Sequence, residues 1–120
     1  MTAYAIAHMR HVTMGPAIVE YLEKIDATLA PHGGRFIVHG SDFKILEGSW
    51  PGASIVIEFP DLDRAAAWYS SPAYRKIAAL RTDNSDSDII LIDGVGPDHR
   101  ATDVLNPAVP ALIAGNALGA

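Results

Sequence analysis

The chain has 120 residues, of which 49% are hydrophobic and 19% charged, so it has room for one domain and one core and is apolar for its size. A net charge of −5, with nine scattered Lys and Arg against fourteen Asp and Glu, excludes the basic stripe that nucleic-acid binding needs. The absence of cysteine excludes disulfides, thiolate metal sites and cysteine nucleophiles.

Tyr4 to Val12 alternates, with Tyr4, Ile6, His8 and Arg10 on one side and Ala5, Ala7, Met9 and His11 on the other, which predicts a strand. Arg10 follows the apolar stretch instead of preceding it, so this is not the pattern of a signal peptide. No apolar run approaches the ~20 residues that cross a bilayer, and a cytoplasmic location without membrane contact is expected. Gly15-Pro16 opens a helix, with Pro16 where its missing N–H costs nothing. Ile18, Tyr21, Leu22, Ile25 and Leu29 form one apolar stripe on it, and Pro31 with Gly33-Gly34 ends it.

Arg35 to His39 predicts a second strand, continuing after a kink at Gly40-Ser41 through Phe43 to Glu47. Gly48 to Gly52 is turn chemistry, and a third strand over Ala53 to Phe59 follows as a hairpin. Asp61 caps the next helix, and Ser71-Pro72 interrupts it and starts a second segment. There Tyr74, Ile77, Ala78 and Arg81 share a face. Thr82 to Ser87 reads as a polar loop and Asp88 to Asp93 as the fourth strand. The order β-α-β-β-α-β predicts an α+β, ferredoxin-like protomer. Two helices cover one face of such a sheet, yet the third and fourth strands are apolar on both sides, which implies burial on both sides. A second copy is the natural cover, so a homodimer is expected. Residues 1–95 form the domain, and 96–120 are a C-terminal extension, either a loose end or an apolar arm laid on the partner.

Three polar residues stand on predicted strands: His8, His39 and Glu58. In the strand order 4-1-3-2 of this fold their strands are neighbours, and by parity all three can share one face if the register allows. Imidazoles beside a carboxylate on an apolar wall are equipped for general acid–base work. The same residues can instead pair with each other or bridge the dimer. Arg81 on a core-facing stripe needs an anionic partner, either an internal carboxylate such as Glu47, Glu58 or a loop Asp, or a ligand anion. Arg35 is expected at the rim. Trp68, Tyr69 and Tyr74, with Tyr21 from the first helix, supply aromatic surface between helices and sheet, as core or as the wall of a small-ligand pocket. Of the five histidines only His8 and His11 are close in sequence, and on a strand they face opposite sides, so no metal site is expected.

Tyr4-Ala-Ile-Ala-His8, Gly33-Gly-Arg-Phe36, Leu46-Glu-Gly48 with Trp50-Pro51, Ile57-Glu-Phe-Pro60 and Trp68-Tyr-x-Ser-Pro-x-Tyr74 together resemble the domain of unknown function 1330, over roughly residues 4 to 95. That family lies in the dimeric α+β barrel superfamily. The resemblance implies two ferredoxin-like sheets closed face to face. The superfamily includes cofactor-free monooxygenases, lactone isomerases, haem-binding enzymes and ligand-sensing domains, so the fold sets a menu of activities. From it we expect a cofactor-free enzyme acting by proton transfer on a small aromatic or enolisable substrate. His8, His39 or Glu58 would be the base, and Arg81 or Tyr69 would stabilise negative charge. The alternative is a non-catalytic dimer that binds a small organic ligand.

Overall fold

The computed structural model describes residues 1–105. In chain order these form β1 (Ala3–Val12), α1 (Pro16–Leu29), a 3-10 turn (Ala30–His32), β2 (Arg35–His39), β3 (Ala53–Phe59), α2 (Leu62–Ser70), α3 (Pro72–Thr82), β4 (Ser85–Asp93) and a final 3-10 turn (Ala101–Leu105). The sheet runs β2-β3-β1-β4 with every neighbour antiparallel. This is the expected ferredoxin-like α+β fold. None of the described helices is long and apolar enough to cross a membrane. The expected apolar arm over 108–120 lies outside the described residues.

Alternation along β1 sorts the sheet into two faces. Ala3, Ala5, Ala7 and Met9 are buried beneath the helices, where short side chains let helices approach closely. Tyr4, Ile6, His8 and Arg10 point to the open face. Cross-strand pairing carries this division outward. Ile57 and Leu91 flank Ala5 on the helix side, whereas Val56 and Ile90 flank Ile6 on the open side. The core on the helix side joins Tyr21, Ile25, Leu29, Ile57, Phe59, Ala65, Trp68, Tyr74 and Ile77.

Both anticipated caps form. The Asp61 carboxylate accepts from the Arg64 amide at 2.8 Å, and the Ser71 hydroxyl accepts from the Tyr74 amide at 3.3 Å while donating to the Trp68 carbonyl at 2.7 Å. Gly34 lies where an added Cβ would come within 2.7 Å of the Phe59 ring, so the chain passes into β2 through a gap only glycine fits.

Three local expectations are corrected. β2 stops at His39, and residues 40–52 form no strand, because the alternating run Phe43 to Glu47 finds no partner strand in its own protomer. The polar stretch Ser85 to Ser87 belongs to β4, paired with β1 from Met9 to Val12, and is tied down by Arg10 across to Asp86 and Asp88. β2 also carries a register shift between Phe36 and Val38, a bulge that leaves Ile37 unpaired and reverses the facing of every residue after it.

Gly52 closes the long loop with φ at +83°, and a Cβ there would sit 1.9 Å from the Met9 carbonyl oxygen. Both the dihedral and the space require glycine. Gly52→Ala is expected to lower unfolding free energy by more than ~1 kcal/mol, read as a fall in the urea midpoint at unchanged slope.

Candidate functional site

Between the helices and the sheet lies a cavity of about 190 Å³. Its floor includes Ala7 and Ala53, whose small side chains leave the space that a Leu or Ile would fill. Ile18, Tyr21 and Ile25 of α1, Trp68 of α2, and Ile55, Ile57 and Ile89 of the sheet supply the rest of an almost wholly apolar wall. Met14 and Leu22, both exposed, stand with His39 toward the solvent side.

One charge enters this wall. Arg81 is 6% exposed and borders the cavity. Its Nε donates to the Tyr74 hydroxyl at 3.3 Å and one terminal nitrogen donates to Ser87 Oγ at 3.0 Å. Tyr74 and Tyr21 share a hydrogen bond of 2.8 Å between their hydroxyls, and Ser87 contacts Ser85 Oγ at 3.0 Å. Every partner of the guanidinium is neutral. Among the described residues the basic members of ion pairs are Arg10, Lys24, Arg35, Arg64 and His99, and Arg81 has no carboxylate. The expected internal salt bridge is therefore absent within residues 1–105. The carboxylates considered for it are elsewhere: Glu58 faces the open side and pairs with Arg35 at 3.0 Å, and Asp86 and Asp88 are taken by Arg10.

Burial works against the Arg81 charge, but the oxygens of Tyr74 and Tyr21 outweigh it and hold its pKa above the ordinary arginine value. Burial first, then the adjoining Tyr74, pushes the Tyr21 hydroxyl above the ordinary tyrosine range. Tyr21 therefore stays a neutral donor. Trp68 spends its indole N–H on Thr28 Oγ1 at 3.0 Å, which leaves its ring face as cavity wall.

The structure separates the three strand residues. His8 and Glu58 share the open face, but His8 lies opposite Ser54 while Glu58 lies opposite Tyr4, about 13 Å apart along the strand at ~3.3 Å per residue. His39 is on the helix side, because the bulge before Val38 places it opposite Ile55. There it stacks on Phe36 at 4.2 Å between ring centroids and borders the cavity. His8 donates from Nε2 to the Pro51 carbonyl, 2.7 Å away, and stacks on Trp50. Arg35 sits on the open face with Glu58. Tyr69 lies under the Arg75 guanidinium, 4.3 Å from its ring centre, and borders a separate recess of about 130 Å³ beside β4. Tyr74 is fully buried and acts behind the wall. Sequence reasoning places Tyr21 with this aromatic group but does not single out Thr28 or Ser87 for the site. Tyr21 and Thr28 lie on the buried stripe of α1, which was the available signal.

The family model of a domain of unknown function, DUF1330, matches residues 2–95. The chain belongs to this family. Among curated proteins none matches this DUF1330 chain. Among solved structures it resembles a protein of unknown function from Rhodopseudomonas palustris, with a TM-score of 0.60 at 16% identity over 80% of this chain and 84% of that one. It also resembles a dimeric ferredoxin-like protein of unknown function from Jannaschia sp. CCS1, at 0.55 and 13% over 78% and 100%. A variant of SnoaB, a cofactor-independent oxygenase from Streptomyces nogalater, superposes at 0.51 and 16% over 82% and 97%. These likenesses establish a shared fold.

Hydrogen bonds from Arg10, more than any other cause, hold the Asp86 and Asp88 carboxyls below the ordinary carboxylate range. Lowered folded-state values mean stability that is complete above the ordinary carboxylate pKa and lost as pH falls through the lowered ones. Thermal melts from pH 7 down to pH 3 are expected to show a smaller acid-side loss in Arg10→Met than in the native chain.

Proposed function

We propose that this DUF1330 chain is a homodimeric, cofactor-independent catalyst of proton transfer on a small aromatic or enolisable substrate carrying, or developing, one negative charge. The observation behind this reading is Arg81, a buried guanidinium without a carboxylate in the wall of an apolar cavity. An uncompensated buried charge is expensive, and an anion seated beside it would recover charge-assisted hydrogen bonds. The cavity volume is of the scale that holds a single benzene ring, so the substrate is one ring with short substituents.

His39 is the base in this scheme. It takes a proton from the substrate carbon next to a carbonyl, and the electron pair moves onto the carbonyl oxygen to give an enolate. Arg81 stabilises that oxygen, with Tyr21 as a neutral donor near it. Where the enolate is conjugated with a further double bond of the substrate, return of the proton from His39 to the far carbon of that system shifts the double bonds and completes an isomerisation. The fold shared with a cofactor-independent oxygenase supports the catalytic reading over a purely structural one. Homodimerisation through the open face is supported by the solvent-facing Ile90 and Ile92, by Ile6 and Val56 beside them, and by the dimeric state of structural relatives. His8, Arg35 and Glu58 then lie at the subunit interface, outside the cavity.

Benzoate is a suitable first probe. Arg81→Met leaves Tyr74 with Tyr21 and Ser87 with Ser85, so no buried group is orphaned, and folding stability is expected to stay within ~1 kcal/mol of native or to rise. Calorimetric titration should nevertheless show benzoate affinity falling by roughly 10- to 100-fold. Equal affinity in the two proteins would refute the anion site. For catalysis, the readout is wash-in of deuterium at the acidic carbon of a cyclic 1,3-diketone, followed by NMR. His39→Ala is expected to slow exchange by about 10²-fold or more. Binding without accelerated exchange would leave a ligand-binding dimer.

A further inference from the structure

The segment between β2 and β3, residues 40–52, leaves the sheet edge and returns to it without forming a helix or strand. Loops of this length inside a small domain generally have a task. Its C-terminal root is fixed on the open face. His8 binds the Pro51 carbonyl and stacks on Trp50 at 4.7 Å. The Trp50 indole N–H donates to Ser54 Oγ at 2.8 Å. His8 and Ser54 are paired positions on that face, and Gly52 rests on the β1 backbone.

Beyond this root the loop is apolar where it meets water. Phe43 is 49% exposed, Ile45 53%, Leu46 88% and Trp50 48%. Together with Ser54 these side chains border an open groove of about 410 Å³. Single exposed apolar residues need no explanation, but four along one short segment do. The patch is also continuous, through Trp50 and Ser54, with the open face that carries Ile6, Val56, Ile90 and Ile92.

We propose that residues 43–50 form a clasp that packs on a second copy of this chain, receiving apolar side chains of that copy in the groove. The inference rests on the homodimer reading of the preceding subsection and adds to it the element that locks the dimer. A two-fold interface is self-complementary, so each clasp serves twice and a substitution in it acts at two places in one dimer. The pinned root gives the clasp a fixed exit direction, which lowers the entropy lost when it engages.

The test is sedimentation velocity on the full chain across a concentration series, comparing native protein, Leu46→Ser, the double variant Phe43→Ser/Leu46→Asp, and Ile90→Glu on the sheet face. The clasp predicts that the double variant raises the dimer dissociation constant by about 100-fold or more, and Leu46→Ser by about 10-fold. Leu46→Ser alters an exposed position, so it keeps the test sharp if the double variant fails to fold. A constant within about threefold of native for Leu46→Ser, with Ile90→Glu dissociating the dimer, would overturn the clasp and leave the sheet-face dimer standing. A native chain that is monomeric at every concentration would overturn both.

Discussion

Everything in this protomer is arranged around the two-sided character of β1. It is an inner strand, bonded on both edges, so its alternation is imposed on β3 and β4 through the pairing. The helix side carries small residues, and the open side carries larger and more polar ones. A strand with bulky residues on both sides would hold the helices farther off and have no space over Ala7. The cavity is thus a consequence of residue size on one central strand.

The guanidinium network shows how a charge is kept inside such a structure without an ion pair. Arg81 is surrounded by hydroxyls, each of which has a second hydroxyl partner. Dipoles of this kind solvate a cation partially and leave attraction for an anion, which a carboxylate at the same place would cancel. On the proposed reading the site is accordingly stable when empty and still receptive to an anion. Its polar atoms come from α1, α3 and β4, three elements that meet only because Ser71 restarts the helix at Pro72 and brings the Tyr74 side chain back toward Tyr21.

Much of this was legible in the sequence for physical reasons. Pro16 and Ser71-Pro72 mark helix starts because their geometry permits little else, and Arg81 announced its burial by sharing a stripe with Tyr74 and Ile77. The site was less legible. Nothing in Arg-Phe-Ile-Val-His shows that one residue is skipped in pairing, so His39 could not be assigned to a face. Phe43 to Glu47 has strand alternation, but alternation does not supply a neighbour to bond. Ser85 to Ser87 looked like a loop because the residue that holds this end of β4, Arg10, is more than seventy positions earlier in the chain.

The bulge at Ile37 acts as an address. A sheet divides this protein into two compartments, one facing the cavity and one facing outward, and a side chain's compartment is set by counting residues from the last paired position. One unpaired residue changes the count from odd to even and delivers an imidazole to the solvent-side rim of the cavity without altering its chemistry. Substitution can only change what stands at an address; insertion or deletion of a single residue in β2 changes where it is delivered. In relatives of this chain, length variation in that short strand would therefore redistribute side chains between the cavity side and the open face more abruptly than any series of point replacements.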